Sequence, residues 1–177
     1  MRTLPAVQQW QPSNIYINGY NVPQMRFSGG EVNISLSREG MNWRAGDKTV
    51  KISAQLTSSD DVMALLLVVD ALRRMEQTVT LLRIPYMPYA RQDRVCNLGE
   101  ALSVSVMANL INSLDIPVVE VWDAHSAVTP ALLKNVRAIE PHHFVAATVS
   151  RILRQREAEG VEAKLCLVAP DAGAHKR

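Results

Sequence analysis

Apolar and polar positions alternate over several short segments of this chain, a period of two residues that is typical of half-buried strands. Val32–Leu36 and Val50–Ala54 alternate in this way, and the turn-like residues between them favour a hairpin. Ile15–Ile17 is a brief strand candidate that turns at Asn18-Gly19, a strong hairpin dipeptide. Further strands are predicted at Thr80–Ile84, Ile116–Trp122, Val136–Ile139 and Lys164–Ala169.

Longer segments between these strands have the apolar pattern of helices. Ser58, followed three residues later by Asp61, predicts a helix start, and Val62–Gln77 behind it has one polar stripe on an aliphatic background. Two more helices are predicted over Glu100–Leu114 and from Glu140 to about Glu159. Because helices alternate with β-branched strands, we predict an α/β fold with a doubly wound, largely parallel sheet covered on both faces.

Composition and charge narrow the class of protein. The 177 residues are 47% hydrophobic and 20% charged, which is ordinary for a globular domain. A net charge of +2, from 19 basic and 17 acidic residues, argues against a nucleic-acid or membrane partner. Cys96 and Cys166 lack metal-ligand spacing and are predicted to be reduced thiols. No apolar run reaches membrane-spanning length, so we expect a soluble cytoplasmic protein.

Polar side chains follow three of the predicted strands at the point where each strand ends. Leu81–Arg94 begins as a strand, is interrupted by two prolines, and continues into Arg91 and Gln92. Asp123 and His125 follow the strand ending at Trp122, and the last predicted strand leads to Asp171. A lone histidine or a lone turn aspartate is usually structural. Ligands of open α/β sheets bind outside the carboxyl ends of strands, so the three together predict one site.

The residue types at this predicted site indicate phosphate chemistry. A guanidinium matches phosphate in fork geometry, and carboxylate with imidazole and ordered waters suits Mg²⁺. Arginine with Mg²⁺ is the equipment of a polyphosphate site, which favours phosphoryl transfer over hydride or acyl chemistry. The sequence contains neither GxxxxGK[ST] nor GxGxxG, which excludes P-loop and Rossmann dinucleotide proteins.

Five blocks in order resemble the ribose-phosphate pyrophosphokinase family, also called phosphoribosyl pyrophosphate synthetases. They are FSGGE (27–31), VVDALRR (68–74), YMPYARQDR (86–94), DAH (123–125) and PDAG (170–173). The resemblance covers roughly Phe27 to Arg177 and implies a phosphoribosyltransferase-like fold. It implies Mg²⁺-dependent transfer of the ATP diphosphoryl group to the 1-hydroxyl of ribose 5-phosphate, giving phosphoribosyl pyrophosphate for nucleotide biosynthesis. A homo-oligomer that binds ATP and ribose 5-phosphate is therefore expected.

The same resemblance implies roles for individual residues. Phe27 and Glu31 would contact adenine, that of the neighbouring subunit's ATP. Arg91 and Gln92 would hold the nucleotide. The Mg²⁺–triphosphate would be held by His125 and Asp171, with Asp123 as a further candidate. The catalytic residues themselves are expected in the family's second domain.

The sequence also departs from the family pattern. The acidic position of the family's FSDGE motif is Gly29 here, and the loop after Arg94 lacks the family's basic residues. We predict a divergent amino-terminal segment over 1–26, a synthetase-like domain over 27–163, and the start of a truncated second domain over 164–177. Since the acceptor site belongs to that second domain, the 177-residue chain alone is expected to be inactive.

Two alternatives to a ribose-phosphate diphosphokinase stay open at this point. One is a non-catalytic regulatory subunit that associates with full-length synthetase. The other is a pyrophosphokinase for another pentose phosphate such as ADP-ribose. The residues named above bind only ATP and its metal, so they do not identify the acceptor.

Overall fold

The computed structural model describes residues 9–36 and 48–160, together with Cys166 and Val168. The chain divides into two compact units, Met1–Glu140 and Pro141–Arg177. Asp171 and most of the predicted strand Lys164–Ala169 lie outside the described residues. No helix within the described part is long and apolar enough to cross a membrane.

A seven-stranded mixed sheet organises the first unit, in the order β3-β2-β1-β4-β5-β6-β7. Neighbours from β4 to β7 run parallel, whereas β1, β2 and β3 are joined by antiparallel pairs and β1 pairs antiparallel with β4. The predicted α/β fold is confirmed. The strands are β1 Gln11–Ile17, β2 Tyr20–Arg26, β3 Val32–Ile34, β4 Thr49–Ala54, β5 Thr78–Ile84, β6 Val119–Trp122 and β7 Val136–Ile139.

The strand pairing differs from the sequence prediction at one place. Asn18 and Gly19 both adopt left-handed φ, at 50° and 89°, and close the predicted hairpin, here between β1 and β2. The expected hairpin between β3 and β4 is wrong, because β3 pairs with β2 while β4 lies between β1 and β5. Alternation shows that a segment has one buried face, but it does not identify the strand that will lie beside it.

The described part of the first unit contains three helices: α1 Ser59–Arg74, α2 Ser103–Asn112 and the short α3 Val128–Leu132, which was not predicted from the sequence. The predicted start of α1 is confirmed, since Ser58 and Asp61 form a reciprocal capping box. The second unit contains α4 His142–Ala158, close to its predicted bounds. Helix α2 begins later than Glu100, because the Glu100 carboxylate accepts hydrogen bonds from the backbone of the preceding turn.

The hydrophobic core of the first unit lies between the sheet and its helices. Ile15, Ile52 and Leu82 from the strands are fully buried together with Leu65 and Leu72 of α1. Helices α1 and α2 line a common groove, and α2 packs against α3. The three helices therefore lie on the same face of the sheet, as right-handed crossovers between successive neighbouring strands require. The predicted covering of both faces by helices is not found in the described part of this unit.

A row of polar side chains crosses the parallel strands on the other face. Arg83, Glu120 and Arg137 lie in register on β5, β6 and β7. The buried Glu120 carboxylate accepts from Arg83 Nε at 2.9 Å and from Arg137 Nη1 at 3.1 Å. The Arg83 guanidinium also lies 5.5 Å from the ring centroid of Trp122, within cation–π range. One buried charge thus joins three parallel strands.

The capping carboxylate of α1 gives the first testable prediction. Burial raises the pKa of Asp61, but hydrogen bonds from Ser58, Thr57 and Asn14 outweigh it and the net pKa is lowered. Asp61→Asn should therefore lower the free energy of unfolding by about 1–3 kcal/mol near neutral pH, the cost of leaving buried partners unsatisfied. Denaturant titration of both proteins measures this difference.

The pH dependence of this stability difference between wild type and Asp61→Asn tests whether the ionised Asp61 carboxylate causes it. Because the folded pKa is depressed, the carboxylate contributes its full stability above the unfolded pKa and loses it as the pH falls through the folded pKa. The gap between wild type and Asp61→Asn should close in acid. Asp70→Asn, at an exposed position on the same helix, is the control and should lower the free energy of unfolding by less than Asp61→Asn does. If the difference in free energy of unfolding between wild type and Asp61→Asn stayed the same at low pH, the ionised Asp61 carboxylate would not be its cause.

Candidate functional site

The topology brings the segments singled out in the sequence to one edge of the sheet. Strands β4 to β7 run parallel, so their carboxyl ends lie at the same edge, hereafter the carboxyl edge. Strand β2 is antiparallel to β1, which is antiparallel to β4, so β2 also ends there. The turn at 27–31, the loop after β5 and the loop after β6 consequently share this edge. Open α/β sheets bind ligands at such an edge.

Buried and exposed side chains follow one another in the first half of the loop after β5, and the buried ones anchor it. Met87 and Ala90 are only 4% and 3% exposed and fix the loop to the core, while Tyr86 and Tyr89 are half-exposed. Tyr89 has a left-handed φ of 61°, a strained conformation for a residue with a bulky side chain. Its hydroxyl lies 2.7 Å from Ser59 Oγ at the start of α1. This anchoring leaves Arg91 exposed, immediately beyond Ala90.

Gln92 is held more closely than its position in a loop suggests. Ser103 Oγ donates a hydrogen bond to Gln92 Oε1, and Val104 N donates to the Gln92 carbonyl oxygen at 3.4 Å. Both donors belong to the first turn of α2. This pairing was not predicted, because Gln92 and Ser103 are separated by ten residues of irregular chain.

The segment between Gln92 and α2 folds around one carboxylate. Glu100 accepts from the backbone N–H groups of Cys96 and Asn97 at 3.0 and 3.1 Å, and from Asn97 Nδ2 at 2.6 Å. The side chain of Asn97, followed by these backbone groups, lowers the pKa of Glu100. The exposed thiol of Cys96 is free. The segment is therefore a turn closed by its own acid.

Phe27 and Glu31 lie on a tight turn that joins β2 to β3. Phe27 N donates to the Glu31 carbonyl oxygen and Gly30 N donates to the Phe27 carbonyl oxygen, both at 2.9 Å. Gly30 has φ 99°, which favours glycine. The Phe27 ring is 43% exposed. Arg26 fixes the turn by donating to the Gly30 carbonyl oxygen at 2.7 Å and pairing with Asp60 in the first turn of α1.

Gly29 lies close to the carboxylate of Glu31. A Cβ added at Gly29 would lie 2.6 Å from Glu31 Oε2, so the Glu31 carboxylate would have to move for any larger residue. Glycine here lets Glu31 fold back over the turn.

Asp123 and His125 follow β6 at the carboxyl edge. Asp123 has a left-handed φ of 44°, and its N–H donates to the Ile139 carbonyl oxygen at 2.9 Å. Both residues are exposed, so His125 is not a packed core histidine. Within the described residues no group of three or more metal-ligating side chains comes together. Because Asp171 is outside those residues, its proximity to His125 stays a prediction.

A groove of about 430 Å³ lies beside this edge, between α1 and α2. Its walls are apolar side chains such as Met63, Leu66 and Val106, and Tyr89 and Ser103 also line it. An apolar lining does not suit a triphosphate. The groove therefore adjoins the candidate site without supplying its phosphate contacts.

The fold and the loop after β5 define a class of protein. A family model described as the N-terminal domain of ribose phosphate pyrophosphokinase matches residues 13–114, more than half of the chain. The chain belongs to the ribose-phosphate pyrophosphokinase family through this domain. The match begins inside β1, earlier than the resemblance seen from Phe27, and it includes Arg91 and Gln92 but ends before Asp123 and His125.

Individual relatives agree with the family model. The ribose-phosphate pyrophosphokinase of Buchnera aphidicola (subspecies Schizaphis graminum) is 30% identical over 125 residues, which is 70% of this chain and 39% of that protein. The enzyme of the same name from Nitrosomonas europaea is 35% identical over 114 residues, which is 64% of this chain and 34% of the relative. The chain thus spans well under half the length of these relatives.

A solved structure shares the fold. The crystal structure of phosphoribosylpyrophosphate synthetase from Mycobacterium smegmatis superposes with a TM-score of 0.59 at 18% sequence identity. The superposition covers 77% of this chain and 45% of that one.

The hydroxyl contact between Ser59 and Tyr89 predicts a measurable coupling. Tyr89→Phe should lower the free energy of unfolding by about 0.5–1.5 kcal/mol, the net contribution of a neutral hydrogen bond, and should speed amide exchange in residues 89–92. Tyr86→Phe is the matched control. In a double-mutant cycle with Ser59→Ala, the two losses should not add. Additive losses would show that the two hydroxyls act independently.

Proposed function

We propose that this chain forms the ATP-binding part of a ribose-phosphate diphosphokinase. The reaction transfers the diphosphoryl group of ATP to the 1-hydroxyl of ribose 5-phosphate, releasing AMP and phosphoribosyl pyrophosphate. The observation that carries the proposal is the loop after β5, which Met87 and Ala90 anchor at the carboxyl edge and which presents Arg91 and Gln92 within the family match.

Arg91 and Gln92 supply complementary contacts to a triphosphate in this proposal. The guanidinium of Arg91 is permanently charged and presents N–H donors in a planar fork that matches phosphate oxygens. Gln92 adds neutral donors from the adjacent position. Diphosphoryl transfer depends chiefly on positioning and on stabilising charge along the phosphates, so residues that fix the triphosphate determine the rate as well as the affinity.

The adenine end of the nucleotide is assigned to Phe27 and Glu31. The half-exposed Phe27 ring offers a flat apolar surface, and the Glu31 carboxylate accepts hydrogen bonds of the kind an exocyclic amine donates. Arg26 holds the turn in place through Gly30 and Asp60. We propose that this turn serves the ATP of a neighbouring subunit in a homo-oligomer.

Magnesium is assigned to His125 and Asp171, with Asp123 as a further ligand. Carboxylate oxygens suit Mg²⁺, and the ion retains several waters through which an imidazole can act. When bound, it would neutralise triphosphate charge. The exposure of Asp123 and His125 at the carboxyl edge leaves both side chains accessible to such an ion.

Replacing Arg91 tests the nucleotide site. Arg91→Ala should weaken Mg-ATP binding by about 1.5–3 kcal/mol, the range for a hydrogen bond to a charged group. Calorimetry on the 177-residue chain measures the affinity. Arg94→Ala, at an exposed position of the same loop, is the control and should bind nearly as wild type. Unchanged affinity in Arg91→Ala would remove this residue from the site.

Replacing His125 tests the metal assignment without an activity assay. Electron paramagnetic resonance with Mn²⁺ and ATP should report at least about tenfold weaker metal binding in His125→Ala, as expected for a group that holds a metal or its waters. His142→Ala, which alters another exposed histidine, is the control. Equal Mn²⁺ affinity in the two variants would exclude His125 from the metal site.

A further inference from the structure

The amino-terminal end of α2 holds Gln92 at two points. Ser103 Oγ donates to the side-chain oxygen Oε1, and Val104 N donates to the main-chain oxygen at 3.4 Å. One contact fixes the backbone of Gln92 and the other fixes its carboxamide. Both Gln92 and Ser103 are partly buried, so the contact between them is shielded from full solvent.

Helix α2 requires partners at this end. Its N-cap residue is Leu102, which offers no side-chain hydrogen bond, so the first-turn N–H groups lack the usual cap. The carbonyl oxygen of Gln92 accepts from one of these groups. The partial positive charge of a helix amino terminus favours an oxygen atom facing it. This partial charge favours the observed amide orientation, in which Oε1 faces α2 and accepts from Ser103 Oγ.

This orientation determines what Gln92 presents to the rest of the carboxyl edge. Once Oε1 is engaged by Ser103, the Nε2 group with its two N–H donors points away from that contact. Phosphate oxygens accept hydrogen bonds and do not donate them when ionised. A reversed amide would instead bring its oxygen towards a phosphate, and the two acceptors would repel each other.

We propose that Ser103 is a positioning residue for nucleotide binding, which acts by keeping the Gln92 amide in its donor orientation. The inference rests on the proposed function, in which Gln92 contacts ATP, and it deepens that function by naming a residue that acts on the ATP contact through Gln92. Ser103 contacts the Gln92 carboxamide, and the proposal gives it no phosphate contact of its own. Its contribution to affinity passes entirely through the Gln92 side chain.

A double-mutant cycle tests this dependence on the 177-residue chain. Ser103→Ala should weaken Mg-ATP binding about three- to tenfold, the effect of one neutral hydrogen bond. Ser103→Thr retains a hydroxyl and should restore affinity. Ser105→Ala, two residues further along α2, should bind as wild type. In a Gln92→Ala background, Ser103→Ala should have no further effect on affinity, whereas in an Arg91→Ala background its effect should persist.

A purely structural role for Ser103 predicts a different pattern. It would lower the thermal midpoint of Ser103→Ala while leaving the Mg-ATP affinity of the folded protein unchanged, and that outcome overturns the proposal. An equal effect of Ser103→Ala with and without Gln92 also overturns it, because the contribution would not pass through that side chain.

The side-chain amide resonances of Gln92 separate this proposal from the one on which it rests. In ¹H–¹⁵N spectra of the ligand-free chain, Ser103→Ala should shift the Gln92 Nε2 signals, whereas Ser105→Ala should not. If wild type binds no Mg-ATP, the proposed function fails, and the spectra still decide whether Ser103 orients the amide. If wild type binds Mg-ATP and Ser103→Ala leaves both the spectra and the affinity unchanged, only the positioning role fails.

Discussion

Three consecutive residues in the first turn of α1 hold together the loops at the carboxyl edge. Asp61 accepts hydrogen bonds from Thr57, Ser58 and Asn14, which ties α1 to β1 and to the end of β4. Asp60 pairs with Arg26 and so holds the turn that presents Phe27 and Glu31. Ser59 contacts the hydroxyl of Tyr89 in the loop that presents Arg91. The candidate adenine and phosphate contacts thus depend on one helical turn, which the capping box of Ser58 and Asp61 fixes.

The loop after β5 illustrates how ordered positions arise in irregular chain. Buried Met87 and Ala90 pin it to the core, and the strained backbone of Tyr89 turns the chain between them. Helix α2 then receives part of its missing amino-terminal cap from Gln92. Each partner satisfies a requirement of the other: the helix gains an acceptor, and Gln92 gains a fixed backbone and amide. This mutual dependence holds Gln92 in one position, as its proposed contact with phosphate requires.

Membership of the ribose-phosphate pyrophosphokinase family rests on residues 13–114, and the structure explains why that stretch is informative. It contains the sheet from β1 to β5, the capped helix α1 and the whole loop that ends at α2. The two predicted departures from the family pattern, at Gly29 and in the turn closed by Glu100, fall within the same stretch. Both would change the charge near the proposed nucleotide site, so nucleotide affinity is the property in which we expect this chain to differ most from its relatives.

The sequence by itself determined most of the longer elements and the family. The start of α1 follows from Ser58 and Asp61, the β1–β2 turn from Asn18-Gly19, and the strand over Thr80–Ile84 from its apolar run, because each depends on residues a few positions apart. The family was predicted chiefly from the block YMPYARQDR, because a motif of consecutive residues can be recognised without knowledge of the fold. Tertiary structure decided what depends on distant partners: that β3 pairs with β2, that Arg83 and Arg137 share the buried Glu120, and that Ser103 meets Gln92. These contacts join side chains or backbones that approach only after the sheet is assembled, so no local pattern of residues specifies them.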